Sequence, residues 1–290
     1  MRSIFKGSLV ALVTPFAEDG SVDHDTIREL VEWHIQSGTN GIVPCGTTGE
    51  SPTLSHQEHD AVVTTVVEAV NKRVPVLAGC GSNATAETLR LAKHAQDVGA
   101  DGALVITPYY NKPTQAGLIA HFETVAASTS LPIVIYNVPG RTGVNIDPET
   151  VVKLAAVENI VGIKEASGSL DQASSILTQC KIDLLSGDDS INLPLMAIGG
   201  CGIISVVANV VPDQMAALTH AALKGDMAIA EQLHHKLYIL CKVLFIETNP
   251  IPVKAALAMM GKIREDLRLP LVSLSDEHRE TVRQALQPFM

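Results

Sequence analysis

The sequence predicts an α/β fold: a (β/α)8 TIM barrel followed by a C-terminal helical extension. Two observations carry this. Short apolar runs of strand length alternate with longer amphipathic segments, and eight such runs fall within the first 225 residues. That length suits a barrel, whose typical size is ~250 residues. The turn after the first run, Thr14-Pro15-Phe16-Ala17-Glu18-Asp19-Gly20, lacks G-x-G-x-x-G. An open doubly wound sheet, the alternative architecture, usually carries that glycine pattern there.

The expected strands are Ser8–Thr14, Gly41–Pro44, Val74–Ala78, Gly102–Thr107, Ile133–Asn137, Ile160–Lys164, Asp183–Ser186 and Gly202–Ser205. Their near-continuous apolar character suits strands buried on both faces. Between them, Ile27, Leu30, Val31 and Ile35 follow helical spacing, as do Val62, Val63, Val66, Val67 and Val70. Ser55 with Glu58 three residues on predicts a capping box. Thr114 and the Asp147-Pro148 pair are further helix starts. Residues 226–290 contain no strand pattern and read as added helices over Ala228–Glu247 and Pro252–Met260. The expected organisation is therefore a catalytic barrel over residues 1–225 and a helical extension over 226–290, packed on it.

Composition narrows the function. The net charge is −10, with no basic stripe to neutralise phosphates, which argues against nucleic-acid binding. Five widely spaced cysteines form neither a C-x-x-C pair nor a disulfide framework, so free thiols in a reducing cytoplasm are expected. The opening run, MRSIFKGSLVALVTPF, is not patterned as a signal peptide, and no segment reads as a membrane span.

A (β/α)8 barrel builds its active site at the C-terminal ends of its strands. Reactive side chains stand there in this sequence. Gly46–Ser51 follows the second strand, Thr107–Asn111 the fourth, and Tyr136–Gly143 ends and follows the fifth. Lys164 ends the sixth strand, and Gly187-Asp188-Asp189 follows the seventh. Two readings of Lys164 stand: a partly desolvated nucleophilic amine, or a lysine that packs its stem and reaches water. Tyr136, at the equivalent point of the adjacent strand, is a proton carrier for Schiff-base chemistry or a rim aromatic with a satisfied hydroxyl. Of four tyrosines, Tyr109, Tyr110 and Tyr136 fall at strand ends, which favours the chemical reading.

The Gly46–Ser51 turn offers backbone N–H groups and hydroxyls to a carboxylate, or is an ordinary turn before the next helix. It is not a Walker loop, because it lacks the G-K-[ST] ending. Arg141 suits a second carboxylate, or is an exposed loop cation. His56 and His59 have metal-compatible spacing, but no third ligand is evident nearby, so no metal is expected.

Together, GTTGES at 46–51, TPYYNKP at 107–113, YNVPGRTG at 136–143, GIKEASG at 162–168 and SGDDS at 186–190 resemble the dihydrodipicolinate synthase family of the N-acetylneuraminate lyase superfamily, over essentially the whole chain. The resemblance implies a Schiff-base lyase of the diaminopimelate route to lysine. It condenses pyruvate with L-aspartate-4-semialdehyde and needs no cofactor or metal. Lys164 would carry the imine, and Thr47, Tyr136 and Tyr110 would relay protons. Tyr110 would cross a tight dimer interface, two dimers making a homotetramer. Thr48 would hold the pyruvate carboxylate and Arg141 that of the semialdehyde. Gly187 and the backbone carbonyl of Ile204 would complete the substrate site. The resemblance further implies an allosteric site for L-lysine at Ser51, His56, His59, Asn83, Glu87 and Tyr109. Here Pro52 follows Ser51, where some relatives carry a smaller residue. The alternatives are a sister lyase, such as N-acetylneuraminate lyase or a keto-deoxy-sugar aldolase, and a non-catalytic metabolite-binding barrel.

Overall fold

The computed structural model describes residues 4–290, so the first three residues of the opening run and of the expected barrel domain lie outside it. Eight parallel strands form one sheet: β1 (Gly7–Ala11), β2 (Gly41–Val43), β3 (Leu77–Gly79), β4 (Gly102–Ile106), β5 (Ile133–Asn137), β6 (Ile160–Glu165), β7 (Asp183–Ser186) and β8 (Gly202–Ser205). Their order runs from β2 through β1, β8, β7, β6, β5 and β4 to β3. The two ends meet through a parallel bridge between Ile42 and Val76, so the sheet closes into a TIM barrel. The closing contacts are Ile42 N–H to the Pro75 carbonyl, 3.0 Å, and Gly79 N–H to the Pro44 carbonyl, 3.0 Å.

The helices of the barrel are α1 (His24–Gln36), α2 (His56–Val70), α3 (Thr85–Asp97), α4 (Gln115–Ser128), α5 (Pro139–Thr142), α6 (Pro148–Leu154), α7 (Leu170–Gln179), α8 (Asn192–Ala197) and α9 (Pro212–Leu223). The tail adds α10 (Met227–Val243), α11 (Ile251–Met259) and α12 (Asp276–Leu286). The sequence pattern did not single out α12. It is mostly polar and buries only Val282 and Leu286.

Strand bounds for β5, β7 and β8 match the sequence expectation residue for residue. Elsewhere side chains intervene. The run expected to reach Thr14 leaves the ladder at Ala11, because Asn209 takes over the hydrogen bonding. Its side chain donates to the Ala11 carbonyl, 2.8 Å, and accepts from Val13 N–H, 3.1 Å. The run stays buried, so it looks like strand in sequence. β3 starts late because Pro75 has no N–H to donate and Val76 N–H is taken by the Asp101 carboxylate, 2.9 Å.

Helix starts are read directly. The Ser55 hydroxyl accepts from Glu58 N–H, 3.2 Å, and the Glu58 carboxylate accepts from Ser55 N–H, 2.8 Å, completing the capping box of α2. The Thr114 hydroxyl accepts from Gly117 N–H at the start of α4. On α1 the buried stripe is Ile27, Leu30, Val31 and His34, with Ile35 half-buried beside it.

Two apolar regions explain why the strands read as continuous. Leu9, Val43, Leu77, Leu104, Val134, Leu185 and Ile204 fill the inside of the barrel. Residues on the opposite strand faces pack against the helices. Each such side chain contributes about 1.5–3 kcal/mol of burial. Tail residues Leu240, Leu244, Val253, Leu257 and Val282 belong to the same outer core.

β5 and β6 carry an irregularity that decides what faces what. Ile133 pairs with Ile160, but Val134 pairs with Gly162, so Val161 is an extra residue on β6. Beyond this bulge Tyr136 pairs with Lys164. A bulge of this kind re-aims every side chain that follows it.

Among the described residues no helix is long and apolar enough to cross a membrane.

Arg268 ties the tail to α2. Its guanidinium donates to both carboxylate oxygens of Glu58, 2.5 and 2.9 Å. This pair, with the Ser55 N–H and hydroxyl, holds the Glu58 carboxyl at about 2, below its ordinary 4.5. A depressed acid stabilises the fold above its unfolded value, and that stabilisation fades as pH falls through its folded value. Glu58→Gln is therefore expected to lower Tm at pH 7. Thermal melts across pH 7 to 2 should show that deficit shrinking below pH 4.5 and nearly gone at about 2.

Candidate active site

Lys164 lies near the end of β6 and is 6% exposed. Its Nζ stands 4.1 Å from the centroid of the Tyr136 ring. Both side chains line a cavity of about 250 Å³ at the C-terminal end of the barrel, together with Thr47, Thr48, Val138, Arg141 and Gly187. The chain thus brings a buried primary amine, a phenol, two hydroxyls and a guanidinium around one small volume. Such a cavity can hold a keto acid and a second carboxylated reactant.

Gly187 has a steric reason to be glycine. A Cβ there would sit 2.6 Å from the Ala166 Cβ and 3.0 Å from the Lys164 Cε. Lys164 extends through the space that the missing side chain leaves.

Behind Lys164, the neighbouring Glu165 points to the opposite strand face and is buried. Its carboxylate accepts from Ser167 N–H at 2.7 Å, and from the side-chain amides of Asn137 and Gln172, each at 3.1 Å. This set of bonds anchors the end of β6 and restricts where Lys164 can stand.

Asp189 is buried outside the cavity. Its carboxylate accepts from the Ser205 hydroxyl and from Val206 N–H, tying the β7 turn to the segment after β8. Burial pushes its carboxyl up to about 6, and these hydrogen bonds oppose the rise. Asp188 instead lines the cavity.

Thr47 and Thr48 come from the turn after β2. The Thr14 hydroxyl donates to the Gly49 carbonyl, 2.7 Å, and the Asn249 amide donates to the Thr48 hydroxyl, 3.0 Å. Arg141 sits on α5 and donates to the Asn249 carbonyl, 3.2 Å.

Two expected residues lie elsewhere. Ile204 is buried in the barrel interior below the cavity and does not line it. Tyr110 is 88% exposed, in a left-handed backbone conformation with φ 71°, and lines neither this cavity nor the next. Within one chain Tyr110 is not brought to Lys164.

A second cavity, of about 330 Å³, adjoins the first and shares Thr47 and Tyr136 with it. Ser51, His56, His59, Glu87 and Tyr109 line it, as does Pro52. Asn83 does not; its carbonyl accepts from the Asn111 side chain, 2.8 Å, at the edge. The Ser82 hydroxyl and His56 Nε2 bond the Glu87 carboxylate and hold its pKa below the ordinary range. Glu87 thus stays a carboxylate at neutral pH. His59 Nε2 donates to the Gly79 carbonyl, 2.9 Å, and burial holds its pKa below the ordinary histidine value. The two imidazoles are thus engaged separately, and among the described residues no three metal-ligating side chains converge.

Sequence reasoning missed the tail's share of the catalytic cavity. Cys241, Lys242, Phe245 and Asn249 all line it. One signal was available: Lys254 is the only charge in the apolar run Ile251–Met260. It forms an ion pair with Glu50 of the same turn that holds Thr47 and Thr48.

Residues 4–288 match the dihydrodipicolinate synthetase family. The 4-hydroxy-tetrahydrodipicolinate synthase of Syntrophus aciditrophicus is 55% identical over 288 residues, spanning 99% of each chain. A dihydrodipicolinate synthase of Acinetobacter baumannii, solved with pyruvate, superposes with a TM-score of 0.96 at 47% identity, over 98% of each chain. The enzyme of Cyanidioschyzon merolae, solved with lysine bound, gives 0.95 at 38% identity, over 99% of this chain and 98% of its own. With that likeness running over nearly all of the described residues, the chain belongs to the dihydrodipicolinate synthetase family.

Proposed function

We propose that this chain is a Schiff-base-forming lyase that condenses pyruvate with L-aspartate-4-semialdehyde to 4-hydroxy-tetrahydrodipicolinate, in the diaminopimelate route to lysine. The observation that carries the reading is the Lys164 amine, buried against the Tyr136 ring in a cavity that also holds Arg141. Arg141 distinguishes it from a sister lyase, because a semialdehyde brings a carboxylate of its own for a guanidinium to bind. The five free cysteines fit a reducing cytoplasm as its location.

The Lys164 amine attacks the keto carbon of pyruvate, and the carbinolamine loses water to give an imine. Loss of a methyl proton gives an enamine. The enamine carbon bonds to the aldehyde carbon of the second substrate, whose oxygen takes up a proton. The substrate amine then attacks the imine carbon, closes the ring and releases Lys164. Covalent attachment divides a hard carbon–carbon bond formation into easier steps. Tyr136 and Thr47 carry protons to and from the carbinolamine. Thr48 and the turn's N–H groups hold the pyruvate carboxylate, Gly187 keeps room for the Lys164 stem, and the Ile204 carbonyl lies near the Lys164 amine from below the cavity. Tyr110 supplies its hydroxyl from a second copy of the chain across a tight dimer interface, and two dimers form a homotetramer. Its exposed ring supports that role. Residues 1–225 form the catalytic domain, and the extension 226–290 completes its mouth.

L-lysine, the pathway's end product, binds the second cavity and inhibits. Glu87 receives its ammonium, with Ser51, His56, His59, Asn83 and Tyr109 around it. Because the two cavities share Thr47 and Tyr136, an occupant of one touches the wall of the other.

Sodium borohydride with pyruvate should reduce an adduct onto Lys164, located by peptide mapping. An unmodified Lys164 under those conditions, or cleavage of N-acetylneuraminate with no condensation, overturns the assignment. Tyr136→Phe should lower kcat by about 10²–10⁴-fold, the usual contribution of a positioned acid–base group. Arg141→Ala should raise KM for the semialdehyde about tenfold or more, as lost hydrogen bonds to a charged group are worth about 1.5–3 kcal/mol. Steady-state kinetics should show KM for pyruvate far less affected. Calorimetry should detect L-lysine binding that Glu87→Gln weakens about tenfold, a loss of about 1.4 kcal/mol. No heat at millimolar L-lysine would remove the inhibitor from the reading.

A further inference from the structure

One buried ion pair takes no part in the condensation. The Lys254 Nζ lies 2.5 Å from Glu50 Oε1, and neither side chain reaches solvent. The second oxygen of Glu50 accepts from Arg268 N–H, 3.1 Å. The Lys254 ammonium also lies 4.2 Å from the centroid of the Phe16 ring, and the Arg268 guanidinium 4.4 Å from it. Every strong electrostatic partner of the pair is thus buried or half-buried with it.

Three features link this pair to the cavity. Glu50 holds a left-handed backbone conformation, φ 54° and ψ 34°, which residues other than glycine rarely adopt. It does so two residues after Thr48, so its conformation sets where the threonines of the turn point. Second, the Glu50 carbonyl accepts from both the Thr53 N–H, 2.9 Å, and the Thr53 hydroxyl, 3.0 Å, so backbone and side chain are both anchored. Third, Lys254 lies on α11, and Asn249 stands just before that helix. The Asn249 amide bonds the Thr48 hydroxyl, and its carbonyl bonds Arg141. The ion pair and Asn249 therefore grip the same turn at two points, one on α11 and one just before it.

A buried ion pair adds little to stability compared with an apolar pair of similar volume, because desolvation offsets the attraction. What it imposes is a fixed distance between two groups. We propose that Glu50 and Lys254 are positioning residues, whose ion pair holds the 46–51 turn so that Thr47 and Thr48 face the keto acid above Lys164. The proposal rests on the Schiff-base reading and adds to it the device that sets the pyruvate half of the site. Neither residue touches a reacting atom.

The test replaces the pair without leaving a lone charge: Glu50→Gln with Lys254→Met. Circular dichroism and thermal melts should show a folded protein. The pyruvate concentration giving half-maximal borohydride trapping of Lys164 should rise about tenfold, and kcat should fall at least about tenfold, since small misplacements cost up to about a hundredfold. Glu50→Asp keeps the charge, withdraws it by one methylene, and should show the same pattern more weakly; it decides alone if the double variant does not fold. Val282→Ala, buried in α12 away from the turn, serves as the stability control. It should lower Tm and leave the pyruvate dependence unchanged. Folded variants of the pair with wild-type pyruvate dependence and kcat overturn the proposal. Absence of trapping in the wild-type protein overturns the Schiff-base reading itself, and the two failures are distinct.

Discussion

The constraint on which the site depends is the register between β5 and β6. Were Val161 paired in the ladder instead of bulged out of it, the pairing that begins at Ile133 and Ile160 would set Tyr136 beside Ile163. Lys164 would then fall on the other face of the sheet, among the helices. One inserted residue therefore turns a continuous apolar strand into one that ends with an amine over the barrel mouth. The Glu165 cradle anchors the outcome from behind: Ser167 N–H and the side-chain amides of Asn137 and Gln172 donate to its carboxylate, and Asn145 bonds both amides in turn. Gly187 removes the one obstacle on the inner side. Register, anchor and vacancy act on a single side chain.

The remaining wall of the cavity comes from chain segments far apart in sequence. The 46–51 turn is gripped from the segment after β1 by Thr14 and from the tail by Asn249 and Lys254. The tail contacts span more than 200 residues. Such contacts close large loops, and their ordering is sustained by the apolar surface that α10, α11 and α12 share with the barrel. The tail is thus a structural part of the mouth, and its helices supply cavity-lining groups as directly as the strand-end turns do.

Local patterns were legible where local physics decides. The eight apolar runs, the Ser55–Glu58 capping box and the strand-end motifs at 46–51, 136–143 and 162–168 could be placed from their neighbours alone. What could not be read were effects set by partners distant along the chain. Asn209 ends β1 from nearly 200 residues away, so the sequence around Leu12 and Val13 looks like uninterrupted strand. The β6 bulge leaves no mark in the run Ile160–Ile163, because inward and outward residues are both apolar. Asn249 looks like an ordinary residue before a proline until it is found beneath Thr48 and Arg141. Lys254 left a local signal that the sequence reading passed over, since a lone charge in an apolar helix needs a buried partner. Tyr110 shows the opposite limit: its motif draws attention to it, yet a single chain gives its ring no seat.

The apolar filling of the barrel has a consequence for traffic. Leu9, Leu77, Leu104, Val134, Leu185 and Ile204 stop the interior below Lys164. Reactants, water and product consequently have no passage through the barrel and meet Lys164 from its rim. Phe245 and Lys242 of the tail stand in its frame. The segment that looks like an appendage is therefore part of the sill at that rim.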